Sequence, residues 1–354
     1  MTLNPVPFLK RSGGVALLGT LLALASASAG SAQTPTPPNC PGGMRQIKIG
    51  VAAIPPNVVH TTSYLAKELG FFAKHCIDAK ITAFEGGFSA AAIAGLMAGD
   101  TIAGVSDVMV ASGVKVRQVW GFAPRIPHSL VSTAEITSAE QLKGKRLSAS
   151  GGGVGSFNWR IAKSILAEGG LTVEDVRFVS QGTAGRLPGL FTGQLDAVPL
   201  HPEDVFLALQ RPGFHVLYKL SAILPNWVFS AYGVADSFIA RDRDLVVDAV
   251  AALIETNRFI YRNRDEVIPI MMRVTEKPRD AVEFAWNELT QNCVWAVNTG
   301  FDKARVEWSI NNSVAAGDIP AGRNLTFDQL VDMPLAEAAV QKAGGPVVIG
   351  NCKL

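Results

Sequence analysis

The stretch that decides the fold is KGKRLSASGGGVGSFNWR, residues 143–160. Residues 147–149 predict a strand and residues 157–168 predict a helix, so residues 150–156 form a glycine-rich loop between the two. Glycines let the backbone approach a ligand closely, and the N–H groups that open a helix point toward an anion. Ser156 stands where an N-cap hydroxyl would lie. The pattern indicates a binding loop for a small, anionic ligand.

Two nucleotide-binding motifs are excluded by single positions in this loop. A phosphate-binding P-loop needs a lysine after its last glycine, and Ser156 follows Gly155 instead. A dinucleotide motif starting at Gly151 would need glycine at position 156, which is again serine. The remaining alternative to a binding loop is a glycine-rich surface turn that joins strand to helix.

The alternation of strand and helix continues on both sides of this loop. Further strands are predicted at residues 46–54, 79–84, 101–105, 176–180 and 197–200, with helices at 60–72, 90–98 and 185–192. Longer covering helices are predicted at residues 245–261, 279–290 and 301–316. Such alternation predicts an α/β fold with parallel sheets and right-handed crossovers.

The predicted elements divide the chain into two doubly wound domains around a ligand cleft. Residues 126–225 form one domain, and residues 45–125 with 226–354 form a discontinuous second domain. Ligands collect at the carboxyl ends of strands in open α/β sheets. The loops at those ends are polar or glycine-rich: residues 55–57, 85–89, 106–107, 150–156, 181–183 and 201–203. Their convergence predicts the cleft.

The N-terminus has the order of a secretory signal. Lys10 and Arg11 precede an uncharged apolar run over residues 15–25, which is followed by small residues up to Ala32. We expect a signal peptide over residues 1–32, with Ala29 as the alternative cleavage site, and a linker over residues 33–44. Lipidation at Cys40 is disfavoured because prolines and a polar residue precede it. The mature chain is expected in the periplasm.

Charge and cysteine usage exclude several classes of function. The formal net charge is +2 and no run of lysine or arginine occurs, so nucleic acid is not expected as a partner. The even number of cysteines in an exported chain predicts two disulfides, for which three pairings exist. We favour Cys40–Cys76 and Cys293–Cys352. Without a Cys-x-x-Cys, Gly-x-Ser-x-Gly or His-Glu-x-x-His motif, we expect no metal, no cofactor and no catalytic residues.

Residues 46–235 resemble the solute-binding proteins of ABC importers. The similarity is to the type II periplasmic-binding fold, in its nitrate/taurine/sulfonate-like branch, to which enzymes that make a thiamin pyrimidine precursor are related. The motifs that carry it are Glu68-Leu69-Gly70-Phe71-Phe72, Gly86-Gly87, Ala98-Gly99-Asp100, Ile136-Thr137-Ser138, Leu142-Lys143-Gly144-Lys145-Arg146, Gly193-Gln194-Leu195-Asp196-Ala197 and Pro202. The resemblance implies a monomeric receptor that closes on a small solute and delivers it to an inner-membrane permease. Closure would use a two-segment hinge near residues 122–129 and 220–229.

The resemblance also implies a set of ligand contacts in the strand-end loops. One side of the cleft would use Asn57, Gly87, Phe88, Ser89, Ser106 and Asp107, and the other Gly153, Val154, Gly155, Ser156, Thr183 and His201. Trp227 would line the cleft or pack the hinge. Asp107 would repel an anion unless it binds a ligand amine or hydroxyl, or caps the next helix. The ligand implied is an organic anion with an apolar or aromatic body, against which Phe88, Phe157 and Trp227 offer surface.

Three further side chains and two further functions stay open. His60 and His201 could donate to a carboxylate or sulfonate, although a lone histidine is more often an exposed or structural residue. Arg186 is a counter-charge for the ligand or, more commonly for a helix arginine, a solvated residue. An exported sensing module for a membrane receptor is the alternative to an importer component. An enzyme of the pyrimidine-precursor type on the same fold is the weaker alternative.

Overall fold

The computed structural model of the protein describes residues 39–84, 90–149 and 157–354. The predicted signal peptide lies outside these residues. Ten strands form two five-stranded sheets within the described part of the chain. The strands are β1 Arg45–Val51, β2 Ile77–Ala83, β3 Thr101–Gly104, β4 Val116–Ala123, β5 Ser129–Thr133, β6 Arg146–Ala149, β7 Arg177–Ser180, β8 Ala197–Leu200, β9 Phe214–Lys219 and β10 Ser230–Ala235. The predicted α/β class is confirmed.

Helices cover and connect the two sheets. They are α1 Thr62–Glu68, α2 Phe71–Lys74, α3 Ala90–Met97, α4 Asp107–Ala111, α5 Phe157–Glu168, α6 Arg186–Phe191, α7 Pro202–Leu209, α8 Leu220–Ile223, α9 Asp236–Arg262, α10 Arg264–Thr275, α11 Arg279–Gln291, α12 Lys303–Ala315, α13 Phe327–Leu330 and α14 Met333–Lys342. Short 3-10 turns occur at Val58–His60, Glu140–Leu142, Val173–Asp175 and Thr183–Gly185. The helix predicted over residues 60–72 is divided, because Gly70 has a φ of +79° between α1 and α2.

The expectation of purely parallel sheets is wrong. The first sheet has the order β2-β1-β3-β10-β4, and β10 runs antiparallel to both of its neighbours. The second sheet has the order β7-β6-β8-β5-β9, and β5 runs antiparallel to both β8 and β9. The physical reason is the connection between the sheets. The chain crosses from β4 to β5 and returns from β9 to β10, so the crossing strands do not follow a strand–helix–strand repeat.

Each sheet has a hydrophobic core of its own. The larger core joins Trp120 of β4, Phe238 and Leu253 of α9, and Trp295, all of them fully buried. A second core packs β5 and β6 against α5 through residues such as Leu130 and Ile165. Among the described helices, none combines the length and the apolar character that a membrane crossing requires.

Both predicted disulfides are present. Cys40–Cys76 ties the start of the described chain to the residue before β2, and Cys293–Cys352 ties the end of α11 to the C-terminal segment. The bonds close 36 and 59 residues of chain, respectively. In the fold they join segments to the first sheet and its covering helices, so the pairing that the sequence favoured is confirmed.

Candidate ligand-binding site

Three buried histidines meet where the two sheets adjoin. His60 ends the turn after β1, His128 directly precedes β5 and His201 directly follows β8. Because β5 and β8 are antiparallel and pair Ser129 with Leu200, His128 and His201 lie at the same sheet edge. Their ring centroids are 3.9 Å apart, and the His60 ring is 5.7 Å from that of His201. We call these residues the histidine cluster.

Two phenylalanines from the strands that connect the sheets contact this cluster. The ring of Phe229, directly before β10, lies 5.1 Å from His128 and 5.9 Å from His60. Phe122, near the end of β4, lies 5.8 Å from His60. The histidine cluster is therefore bounded on one side by aromatic surface from the first sheet, which suits a ligand with an apolar or aromatic body.

The imidazoles of the cluster are uncharged at neutral pH. Burial, assisted by the charge of Arg186, lowers the pKa of His60 to about 4. Burial is also the main cause that holds the pKa of His128 and of His201 well below the usual range, with further contributions from neighbouring imidazoles and Arg186. A neutral imidazole has one N–H donor and one acceptor nitrogen. The cluster thus offers hydrogen bonds to a ligand without adding charge.

Arg186 is a buried cation of this region. It is the first residue of α6, it is 7% exposed, and its charge acts on all three imidazoles. The interpretation of Arg186 as a solvated helix residue is therefore wrong. Its position follows from the strand order, because α6 starts after β7 at the edge where the loops of the second sheet converge. Thr183, a predicted contact, is also buried and lies three residues before it.

Glu203 is a buried carboxylate that sequence reasoning placed in a strand-end loop without assigning it a role. Its Oε1 accepts hydrogen bonds from Asn57 Nδ2 at 3.0 Å and from the Val58 backbone N–H at 3.1 Å. Burial, with a further contribution from the neighbouring Asp204, raises the pKa of Glu203 to about 7. Predicted contact Asn57 is thereby tied to α7. The carboxylate joins the turn after β1 to the start of α7, across the two sheets.

Asp107 belongs to a separate buried network. Ser106, not Asp107, caps α4, since the Ser106 hydroxyl accepts from the Met109 N–H at 3.1 Å. The N-cap expected at Asp107 is therefore one residue earlier, at Ser106, although Asp107 Oδ1 accepts a hydrogen bond from the Val108 N–H in the first turn of α4 at 2.9 Å. The Asp107 carboxylate pairs with Arg160 of α5, at 3.4 Å between Oδ1 and Nη1, and accepts a hydrogen bond from Ser313 of α12. The charge of Asp107 is compensated, so it is no obstacle to an anionic ligand nearby.

Arg160 is the centre of that network. Its Nε lies 3.2 Å from an Asp318 oxygen, and its guanidinium stacks 4.7 Å from the ring of Trp227. Trp227 is buried in the core of the second sheet. Trp227 was expected to line the cleft or to pack the hinge. Its described contacts show packing against this core and against Arg160.

Seven predicted contacts lie outside the described residues: Gly87, Phe88, Ser89, Gly153, Val154, Gly155 and Ser156. The chain on either side of them is described. Arg160, one turn into α5 beyond the glycine-rich loop, reaches Asp107 at the start of α4. The end of β3 and the start of α5 therefore face each other. Across the described residues, no group of three or more His, Cys, Asp or Glu side chains is arranged to hold a metal ion.

A polar cavity adjoins the histidine cluster. Its volume is about 230 Å³, and its lining includes His128 and Pro202 together with Arg125, Lys219, Glu288 and Asn292. Arg125 and Pro225, which also lines it, belong to the two connections between the sheets. The cavity thus reaches from α11 to the start of α7.

The family follows from a match to residues 57–267, which include the histidine cluster, Arg186 and Glu203. The matching description is NMT1/THI5 like, and it covers more than half of the 354 residues. The chain belongs to the NMT1/THI5-like family. This agrees with the resemblance that the sequence motifs carried. No curated protein matches the chain.

Solved structures with the same fold include binding proteins and an enzyme. The alkanesulfonate-binding protein SsuA from Xanthomonas axonopodis pv. citri, bound to MOPS, is 17% identical with a TM-score of 0.62, over 83% of this chain and 98% of its own. The nitrate-binding protein NrtA from Synechocystis is 12% identical with a TM-score of 0.60, over 84% and 89%. The desulfurization enzyme DSZB is 15% identical with a TM-score of 0.59, over 84% and 99%. The periplasmic-binding-protein fold is confirmed; function must be argued from the site.

Proposed function

We propose that this chain is the periplasmic solute-binding component of an ABC importer. It captures a small organic anion, such as a sulfonate, a carboxylate or an aromatic acid, and delivers it to an inner-membrane permease. It binds its ligand without transforming it. The observation that carries this proposal is the buried junction in which Arg186 accompanies three neutral imidazoles at the strand ends of both sheets.

The chemistry of this junction suits one acid group. A guanidinium presents several N–H donors in a planar fork that matches a carboxylate or sulfonate. Its burial strengthens the attraction, because little water screens the charge. Neutral imidazoles add hydrogen-bond donors, while Phe122 and Phe229 supply apolar surface for the body of the ligand. The bound MOPS of the SsuA structure, a sulfonate, is in keeping with this ligand class.

The proposed mechanism is closure of two domains about the connections between the sheets. In this proposal residues 45–125 with 226–354 form one domain and residues 126–225 the other, and the presence of two separate sheets supports the division. Asn57 and His60 come from the first domain, whereas Thr183, Arg186 and His201 come from the second. A ligand held by both groups favours the closed form, as differential binding requires. The glycine-rich loop over residues 150–156 remains a proposed contact for the acid group.

The proposal is tested by thermal unfolding in the presence of carboxylates, sulfonates and aromatic acids. A ligand of the folded state at 100 times its Kd stabilises by about 2.7 kcal/mol, which raises the melting temperature. Arg186→Gln should abolish the shift. Arg211→Gln is the matched control, since Arg211 is exposed and stacks on Phe191, the last residue of α6. The absence of a shift with any of the acids contradicts the proposal, and an unchanged shift in the Arg186 variant removes Arg186 from the site.

Transport and sensing are separated in cells. If the chain serves an importer, deletion of its gene abolishes uptake of a labelled ligand found in the thermal screen, and the Arg186→Gln chain fails to restore it. Normal uptake in the deletion strain would contradict the importer role and favour the sensing module. Turnover of the ligand by purified protein would contradict a role without chemistry.

A further inference from the structure

The surroundings of Glu203 make its carboxylate bind a proton more readily than a carboxylate in water does. The residue is fully buried. Its Oε1 accepts the two hydrogen bonds from Asn57 and Val58, while Oε2 has no hydrogen-bond partner among the residues that the structure describes. A buried carboxylate oxygen without a donor gains from protonation, because the neutral acid needs less solvation. Burial and Asp204 accordingly raise the pKa of Glu203 to about 7.

The other ionisable groups around Glu203 leave it as the group best placed to titrate near pH 7. His60 precedes α1, His128 precedes β5 and His201 directly precedes α7, the helix that contains Glu203. All three have a lowered pKa. Asp204 forms an ion pair with Lys277 between α10 and α11. From α6 comes the cation Arg186, and from α11 comes Glu288, which pairs with Lys219 at 3.5 Å beside Pro202.

We propose that Glu203 takes up one proton from solvent when the anion binds, so that the site holds the anion together with a proton. This inference rests on the proposed function. An anion that enters the buried junction adds a negative charge near the carboxylate and excludes water from it. Both effects disfavour the ionised form of Glu203. The proton comes from the buffer and stays on the carboxyl group for as long as the anion is bound.

Proton uptake sets the pH dependence of binding. One pH unit above a pKa of about 7, only about a tenth of the Glu203 side chains are protonated in the free protein, so binding at pH 8 takes up about 0.9 proton. Well below pH 7 the carboxyl group is already protonated and binding takes up none. The apparent Kd should therefore be constant at acidic pH and rise about tenfold per pH unit above pH 7.

Isothermal titration calorimetry with benzenesulfonate tests this inference. Benzenesulfonate stays ionised throughout the pH range, so it neither takes up nor releases a proton itself. The titration is run at pH 8 in Tris, triethanolamine and N-ethylmorpholine, because sulfonate and carboxylate buffers belong to the proposed ligand class. We expect the observed heat to change linearly with the ionisation enthalpy of the buffer, with a slope of about 0.9 proton taken up.

Glu203→Gln keeps the shape of the side chain and removes its titration. We expect this variant to bind benzenesulfonate with the same heat in all three buffers and with a Kd that does not vary with pH. Glu283→Gln, which changes a carboxylate on α11 that pairs with Arg264 and Arg279 and does not line the cavity, is the matched control and should keep the slope. Persistent proton uptake in the Glu203 variant would assign the proton to an imidazole and overturn the inference.

A second measurement does not depend on any variant. The Kd of the unaltered protein for benzenesulfonate is measured from pH 6 to pH 9, and a constant value overturns the inference even if Glu203→Gln does not fold. Binding with identical heats in the three buffers overturns proton uptake alone and leaves the proposed function standing. If benzenesulfonate gives neither heat nor a thermal shift, the same titration uses an acid that raises the melting temperature in the thermal screen. The absence of any such acid counts against the proposed function itself, and the inference falls with it.

Discussion

Replacement of Arg160 by methionine should destabilise the protein strongly. The guanidinium lies between the carboxylates of Asp107 and Asp318, whose side chains are 8% and 2% exposed, and the arginine side chain is itself 8% exposed. Methionine keeps the length and apolar stem of the side chain but leaves both carboxylates without their arginine. Removal of one partner from a buried ion pair typically costs about 3–5 kcal/mol.

Two other contacts of this network affect the size of the destabilisation by Arg160→Met. Loss of the stacking on Trp227 adds a cation–π contribution of about 0.5–2 kcal/mol. Lys163, whose Nζ is 3.5 Å from Asp318, keeps part of the compensation for that carboxylate. The two corrections are opposite in sign. We therefore expect the free energy of unfolding to fall by about 3–5 kcal/mol.

The assay is urea denaturation monitored by circular dichroism. We expect the slope of the free energy of unfolding against urea concentration to be unchanged. Arg273→Met is the matched control, because Arg273 pairs with Glu68 on the surface, where the side chains are 59% and 45% exposed. An exposed pair contributes about 0–1 kcal/mol. Equal effects of Arg160→Met and Arg273→Met would refute the reasoning.

A double variant separates the charge from the packing. Asp107→Asn removes the carboxylate that faces Arg160, so its combination with Arg160→Met leaves one uncompensated charge fewer than Arg160→Met alone. The double variant should therefore be less destabilised than the sum of the single variants, by at least about 1 kcal/mol. Simple additivity would show that the pair does not interact in the folded protein.

Three further predictions concern stability. Gly300→Ala should lower the free energy of unfolding, measured by urea denaturation, by at least about 2 kcal/mol more than Gly317→Ala does. Both glycines have positive φ, but a Cβ at residue 300 would lie 1.8 Å from a backbone oxygen, whereas residue 317 has open space. Equal losses would contradict this reasoning. The pKa of His60 falls from 6.5 to about 4 on folding, so the unfolded chain binds more protons than the folded chain between these pH values. The free energy of unfolding should therefore decrease as the pH falls from 6.5 to 4, and His60 should contribute up to about 3 kcal/mol to that decrease. His60→Gln should reduce that decrease when unfolding is compared at pH 7 and pH 4.5, and an unchanged decrease would show that His60 is not its source. Removal of the Cys293–Cys352 bond by two serine substitutions frees a loop of 59 residues and should lower the free energy of unfolding by about 4 kcal/mol, seen as a lower melting temperature. An unchanged melting temperature would contradict this prediction.

Local patterns were sufficient for elements that carry a clear period and clear ends. The predicted helix over residues 157–168 and the predicted strand over residues 197–200 have the bounds of α5 and β8. Strands β4, β5, β9 and β10 were not predicted. Six consecutive residues at the end of β4 are buried, and β10 is buried almost throughout, so neither alternates between apolar and polar as a half-buried strand does.

The site was predictable in part for the same reason. His201 follows β8 directly and Asn57 lies in the loop after β1, so their positions in strand-end loops could be predicted from the sequence. His128 precedes a strand that was not predicted, and the burial of Arg186 depends on elements far away in the chain. Glu203 lies next to predicted residues, but the partners of its carboxylate, Asn57 and Val58, are about 145 positions earlier.

The sequence by itself determined the α/β class, the family resemblance, the favoured disulfide pairing and the loops in which ligand contacts were sought. Each of these depends on local periodicity, on residue type or on spacing along the chain. Only the tertiary structure decided that β10 and β5 run antiparallel to their neighbours, that Arg160 compensates Asp107, and that three histidines meet beside Arg186. Burial and charge compensation arise between residues distant in sequence, and no local pattern encodes which of them become neighbours.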